Sequence, residues 1–203
     1  MKYIILIIII AVACFCILQY TGLLKPKSAE AAAKSGRTGI SANAKVDFLI
    51  GQVLLQSHYS TLPVEGNINA VDSSGRSFSL KDVFDKKKVV VYRISELNCM
   101  ECIKAQFPFL KKLADKVGTD HVMLLSSFAS PKSFKIFLQN LPFVIRAYNV
   151  PLERLSALPI ESLNVPYFFE SEYGSHFDYV FIPRKEMPEL SEEYCAEVIR
   201  NFN

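Results

Sequence analysis

The run Lys88–Ile94 (KVVVYRI) constrains the fold of this chain more than any other segment. Continuous β-branched and aromatic residues without polar alternation are typical of a strand that is buried on both faces in a parallel sheet. The turn Ser95–Asn98 follows this strand, and Cys99–Val117 then has apolar residues at helical spacing. The sequence therefore predicts a buried strand that leads through a short turn into a helix.

The rest of the chain alternates between strand and helix signals. Ile68–Val71 and Ser77–Leu80 flank the turn Asp72–Gly75, which predicts a β-hairpin. Val46–Tyr59 fits a helix or a strand equally well. Further strands are predicted at His121–Ser126, Phe143–Tyr148, Tyr167–Glu170 and Phe177–Ile182, the last two joined at Gly174, and helices at Pro131–Leu141, Leu152–Leu158 and Pro188–Phe202. This order predicts a three-layer α/β/α sandwich with an N-terminal β-hairpin.

The N-terminal region differs from the rest in hydropathy. In Tyr3–Leu24, 19 of the 22 residues are apolar, which is long enough to span a bilayer as a single transmembrane helix. We therefore predict an anchor in residues 1–24, a tether and irregular lead-in in residues 25–61, and a folded domain in residues 62–203. A lipoprotein processed at Cys14 and a cleaved signal peptide are the alternatives to the anchor.

The net charge also differs between the N-terminal region and the rest of the chain. The net charge of +3 consists of +5 in residues 1–45 and −2 in residues 46–203. The domain therefore lacks the basic footprint of a nucleic-acid-binding protein, and we expect no nucleic-acid partner. The basic residues Lys25, Lys27 and Lys34 after the anchor favour a cytosolic domain by the positive-inside rule, which conflicts with the location proposed below.

Cys99-Met100-Glu101-Cys102 carries the chemistry that the sequence predicts. At a helix N-terminus, free backbone N–H groups and the helix dipole stabilise a thiolate, so Cys99 is the candidate nucleophile. Cys102, one turn later, can close a disulfide with it and resolve a mixed disulfide. A structural disulfide or inert thiols are the alternative. Zinc is not expected, because the sequence has no second CxxC or closely spaced Cys/His pair.

Asn164-Val165-Pro166-Tyr167 places a proline directly before a predicted strand. A proline there is often preceded by a cis peptide bond in a tight turn, and an ordinary trans proline at a strand start is the alternative. Cys195 lies on the apolar side of the last helix and is expected to be a core residue.

Residues from about Leu62 to Phe202, which include the CxxC and Val165-Pro166, resemble the thioredoxin-like superfamily. Within its alkyl hydroperoxide reductase/thiol-specific antioxidant group, they look most like the membrane-anchored, extracytoplasmic thiol–disulfide reductases of the cytochrome-maturation type. The resemblance implies that Cys99 attacks and Cys102 resolves. It also implies that Pro166 is a cis-proline, with the Val165 backbone available to pair with a bound peptide. The redox-active disulfide would serve in place of a cofactor.

The sequence departs from this family around the cysteines. Asn98 and Glu101 stand where a bulky residue and a proline are usual, Tyr167 replaces a common threonine, and Pro108 lies one residue later than usual. We expect the charge of Glu101 to disfavour the Cys99 thiolate and thus to favour a reductant. Glu96 and Arg93 flank the turn, and either could tune proton transfer to Cys102, with Glu96 the second possible modulator beside Glu101.

These observations predict a bacterial thiol–disulfide oxidoreductase, inserted in the inner membrane by residues 3–24, with its domain facing the periplasm or extracytoplasmic side. Its expected partners are proteins with thiols or disulfides and a membrane electron donor. One alternative is a non-catalytic binding module of the same fold. The other is a copper-handling protein that uses Cys99, Cys102 and His176.

Overall fold

A computed structural model describes residues 41–60, 68–84, 88–155, 159–172 and 176–202 of the chain. The strands in this part are β1 Asn69–Asp72, β2 Ser77–Ser79, β3 Lys88–Ser95, β4 Val122–Ser127, β5 Arg146–Asn149, β6 Tyr167–Glu172 and β7 Asp178–Phe181. The α-helices are α1 Ala42–Tyr59, α2 Leu80–Phe84, α3 Met100–Lys104, α4 Phe107–Val117, α5 Pro131–Gln139, α6 Leu152–Leu155 and α7 Pro188–Phe202.

The described strands form one sheet in the order β2-β1-β5-β4-β3-β6-β7. Strand β3 runs parallel to β4 and antiparallel to β6, with Tyr92 opposite both Leu124 and Phe168. Seven of its eight residues are buried, as its sequence predicts. Strand β3 therefore lies between two neighbouring strands inside the sheet. The chain segment that follows β3 leaves the sheet among the ends of these strands.

Helices cover both faces of the sheet, which confirms the predicted layers. Val90, Tyr92 and Ile94 of β3 face a core that includes residues of α3, α4, α5 and α7. Val89 and Val91 face a second core formed with α2, α6 and the end of α1. This alternation follows from the two-residue period of a strand.

The helix predicted over Cys99–Val117 is interrupted. It divides into α3 and α4, with Ala105 and Gln106 between them. The break follows from Pro108, which has no N–H to donate to the carbonyl of Lys104 and whose ring opposes an uninterrupted helix. Gln106 turns inward at the break and accepts a hydrogen bond from Ser191 Oγ at 2.9 Å.

Much of the predicted tether and irregular lead-in is a regular helix. Ser41 caps α1 by accepting a hydrogen bond from the Ala44 N–H, and the helix runs through the segment whose structure the sequence left undecided. The side chain of Gln52 accepts a hydrogen bond from the Ile182 N–H at 2.9 Å, next to the end of β7. Helix α1 therefore covers the edge strand β7, a common way to protect a sheet edge.

Most other predicted elements are confirmed to within a few residues. The hairpin pairs β1 with β2 in register, α7 has its predicted bounds, and Cys195 is a buried core residue. The sequence did not predict the short helix α2 or the 3₁₀ turn Pro159–Leu163. No helix among the described residues is both long and apolar enough to cross a membrane. The predicted anchor Tyr3–Leu24 and the Gly174 turn lie outside the described residues.

One carboxyl group lies inside the core, away from the carboxyl end of β3. The Glu170 side chain is 1% exposed, and its Oε2 lies 3.0 Å from Lys88 Nζ. Burial raises the pKa of Glu170, and the nearby Asp178 and Glu197 raise it further, while Lys88 lowers it. Because the pKa is raised in the folded state, the stability linked to this group is complete below its unfolded pKa and is lost as pH rises through the folded pKa.

We therefore expect Glu170→Gln to gain stability relative to the wild type as pH rises from 4 to 7, because the variant cannot ionise. The gain is about 1.4 kcal/mol for each unit by which folding displaces the pKa. Urea unfolding at several pH values measures it. Glu193→Gln, on the exposed side of α7, is the matched control and should leave the pH profile unchanged. A constant difference between Glu170→Gln and wild type at all pH values would contradict this assignment.

Candidate active site

The two cysteines of the CxxC lie at the start of α3, directly after the turn that follows β3. Cys99 is the N-cap residue, and its Sγ accepts a hydrogen bond from the Cys102 N–H at 3.4 Å. Cys99 is exposed, Cys102 is half-buried, and both are thiols in this structure. Of the two thiols, Cys99 is therefore the one that is more accessible to a substrate.

Asn98 fixes the turn that leads to Cys99. Its Oδ1 accepts a hydrogen bond from the Ser95 N–H at 2.7 Å, and its Nδ2 donates to Asn164 Oδ1 at 3.2 Å. Asn98 is buried, so its contact with Ser95 is shielded from water, whereas its contact with the exposed Asn164 is only partly buried. The residue that the sequence presented only as a departure from the family thus joins the CxxC turn to the segment before Pro166. An asparagine just before a helix cap is a recognised turn residue, and that signal could have found this role.

The expected cis-proline is not observed. No peptide bond among the described residues is cis, so Pro166 follows a trans bond. The chain instead changes direction at Asn164, whose φ of +47° is in the left-handed region that asparagine tolerates. Val165 is half-buried and Pro166 buried. Val165 and Asn98 line one cavity of about 220 Å³, so the turn before Cys99 lies beside the segment before Pro166.

A buried ion pair lies beneath this turn. Arg93 donates to both carboxylate oxygens of Glu161, through Nε at 2.9 Å and Nη2 at 2.8 Å. Tyr167 donates its hydroxyl to Glu161 Oε1 at 2.7 Å, which gives the unusual tyrosine after Pro166 a structural partner. The Arg93 side chain is 2% exposed and that of Glu161 9%. Arg93 therefore forms part of the floor of the cavity beside this turn, where it is paired with Glu161.

The two thiols have pKa values displaced in opposite directions. The Cys102 side chain, then the Cys102 backbone N–H, lower the pKa of Cys99, and the charge of Lys185 contributes in the same direction. The pKa of Cys102 is raised, first by its side-chain hydrogen bond to Cys99 and then by burial. Cys99 is thus the thiol that ionises first and is in contact with solvent. These are the properties of an attacking thiol.

The pKa of Cys99 is lowered overall, and the charge of Glu101 is not among the groups that displace it. The Glu101 side chain is 75% exposed, so water screens its charge, whereas its backbone N–H helps to lower the pKa of Cys99. Sequence reasoning also missed Lys185, which lies far along the chain in the turn before α7. No sequence signal places that turn beside the cysteines.

The other candidate residues lie apart from the thiols. Glu96 is exposed and lines a neighbouring groove with Asp72 and Phe128. His176 is exposed, and no group of three His, Cys, Asp or Glu side chains in the described part of the chain could hold a metal ion. The structure therefore does not gather the ligands of the copper alternative.

Known proteins resemble this chain in fold. No protein-family model and no curated protein matches the sequence. A candidate electron transfer protein from Aquifex aeolicus is 14% identical, with a TM-score of 0.50 over 68% of this chain and 94% of that one. The thioredoxin domain of a Bacteroides vulgatus thiol–disulfide oxidoreductase is 15% identical, with a TM-score of 0.46 over 66% and 98%. A secreted Mycobacterium tuberculosis disulfide oxidoreductase is 16% identical, with a TM-score of 0.42 over 64% and 96%.

We expect Asn98→Ala to lower the free energy of unfolding by about 1–3 kcal/mol, because the buried Ser95 N–H loses its acceptor. Asn164→Gly removes only the link between the two segments and keeps a residue that accepts positive φ, so its cost should be smaller. Denaturant unfolding of both variants measures the difference. Equal stability of Asn98→Ala and wild type would contradict the role given to Asn98.

We expect Lys185→Ala to raise the pKa of Cys99, because the thiolate loses a nearby positive charge. The thiolate absorbance of Cys99, followed against pH in a Cys102→Ser background, measures the change. Lys111→Ala, on the exposed side of α4, is the matched control and should leave the titration unchanged. An unchanged Cys99 pKa in Lys185→Ala would remove Lys185 from the site.

Proposed function

The described domain has the mixed α/β fold of the thioredoxin-like superfamily, and from that premise we propose that the chain is a thiol–disulfide oxidoreductase acting on other proteins through Cys99 and Cys102. The observation that carries the proposal is the pairing of these thiols at the N-terminus of α3. The exposed Cys99 has a lowered pKa, and the half-buried Cys102 has a raised one. Two thiols with a purely structural role would not need pKa values displaced in opposite directions.

The proposed reaction transfers two electrons in two exchanges. The Cys99 thiolate attacks one sulfur of a substrate disulfide, forming a mixed disulfide, and the other substrate sulfur leaves as a thiolate that takes up a proton. Cys102 then loses its proton and attacks Cys99 Sγ. This second step forms the Cys99–Cys102 disulfide and releases the second substrate thiol. The substrate is reduced and the dithiol oxidised.

The surface around Cys99 suits a polypeptide substrate. Leu97 and Met100, on either side of Cys99 in the sequence, are 62% and 39% exposed. Met100 also lines an apolar groove of about 550 Å³ with Phe107 and Phe137. We propose that an extended substrate segment lies across Cys99, with the backbone near Val165 and Pro166 available to pair with it.

We also propose the setting that the sequence predicts. Residues 3–24 anchor the chain in the inner membrane, the domain faces the periplasm, and a membrane electron donor reduces the Cys99–Cys102 disulfide after each turnover. The family resemblance supports the reductant direction, whereas the charge of Glu101 is not among the groups that displace the pKa of Cys99. A couple with a potential near −270 mV, about that of thioredoxin, would support it, and one near about −120 mV would oppose it.

Replacing the resolving thiol should trap the first exchange. In cells, Cys102→Ser is expected to accumulate mixed disulfides between Cys99 and its substrates, because no second thiol can release them. Cys99→Ser should accumulate none. Non-reducing electrophoresis followed by mass spectrometry measures the adducts. Cys195→Ser, which changes a buried thiol outside the site, is the matched control.

Two results would replace this function with an alternative. Absence of mixed disulfides, with partner binding retained in Cys99→Ser, would favour the non-catalytic binding module. Tight Cu(I) binding by the reduced protein that is lost in His176→Ala would favour copper handling.

The proposed location predicts the outcome of a topology experiment. A reporter that is active only outside the cytoplasm, fused after Asn203, should be active because the proposed orientation places the domain in the periplasm. Its replacement by a reporter active only in the cytoplasm should give no signal. The opposite pair of results would contradict the location and agree with the positive-inside rule.

A further inference from the structure

Helix α1 has one face that packs against the domain. Phe48 contributes to the first core and Leu55 to the second, and Tyr59 is buried at the end of the helix. Gln52 lies on the same face, where it accepts the Ile182 N–H. These positions recur at helical spacing, so they all lie on one face of α1, and this face makes the contacts with the rest of the domain.

The opposite face of α1 is apolar and exposed. The residues of this apolar stripe are between 42% and 68% exposed, and they are Val46, Leu49, Ile50, Val53 and Leu54. At 3.6 residues per turn they cover about 140° of the helix circumference. Their exposed side chains amount to roughly 500 Å², as large as the largest apolar patch on a typical monomer. The stripe has no role in the proposed thiol chemistry.

The composition of α1 opposes a lipid surface as its occupant. Interfacial helices carry lysine and arginine on the polar face and aromatic residues on the apolar one. Lys45 is the only lysine or arginine of α1, and it is paired with Glu189 at 3.6 Å. The stripe itself contains no aromatic residue.

The stripe is instead suited to a second copy of itself. Its residues repeat almost symmetrically about Leu49 and Ile50, so two copies related by a two-fold axis bring the same apolar positions together. A mixture of valine, isoleucine and leucine along one helix face is typical of contacts between two helices. Two copies would together bury on the order of 1,000 Å², which is the lower bound for a specific interface. From this match of symmetry, area and composition, we propose that the chain forms a homodimer through the apolar stripe of α1.

Site-directed cross-linking of the full chain in intact cells tests the proposal. The background carries Ser at Cys14, Cys16, Cys99 and Cys102. Ile50→Cys lies at the middle of the stripe and meets its counterpart in a parallel or an antiparallel pair. With a short bis-maleimide, it should give on the order of tenfold more dimer than Asp115→Cys, an exposed position on α4, because a docked pair supplies a high local concentration.

A second pair of variants separates the contact from random collision. Val53→Glu, added to Ile50→Cys, should reduce the dimer on the order of tenfold, because two like charges would be buried in an apolar contact. Val53 is 68% exposed, so the change leaves the domain folded. His58→Glu, outside the stripe on the same helix, should leave the dimer intact. Equal cross-linking at Ile50→Cys and Asp115→Cys, an adduct with a protein of another mass, or no cross-link at either position would overturn the proposal.

Discussion

The end of strand β3 is the constraint on which the site depends. Because β3 is buried on both faces, the polar groups at its end have to find partners within the protein. Arg93 donates hydrogen bonds to both carboxylate oxygens of Glu161, and the Ser95 N–H donates one to the Asn98 side chain. Breaking such a buried ion pair by removing one partner costs about 3–5 kcal/mol. The turn that carries Cys99 is therefore held by the same contacts that complete the core.

The electrostatics of the site follow from contact distance. Short-range donors on Cys102 act directly on Cys99 Sγ, whereas the charge of Glu101 is largely solvated. Water weakens an exposed charge far more than it weakens a direct hydrogen bond. The thiol that the proposed reaction uses first is therefore the one that ionises more easily, although an acidic side chain follows it in the sequence.

The sequence predicts the elements of the fold but not the contacts between them. The central strand, the hairpin, the helix α7 and the CxxC position follow from periodicity and turn residues, which act over a few neighbours. The hydrogen bond between Asn98 and Asn164 and the effect of the Lys185 charge on the thiols join residues far apart in the chain, so no local pattern reveals them. The trans bond before Pro166 was missed for a related reason. The positive φ of Asn164 supplies the change of direction that the sequence assigned to a cis proline.

The central claim is that Cys99 exchanges disulfides with protein substrates and that Cys102 completes the exchange. Reduction of insulin disulfides by dithiothreitol, with the protein added in catalytic amount, tests this claim most directly. Our account predicts clear acceleration by the wild-type chain, none by Cys99→Ser, and strongly reduced turnover by Cys102→Ser. Equal rates with the wild type, with Cys99→Ser and without protein would contradict it.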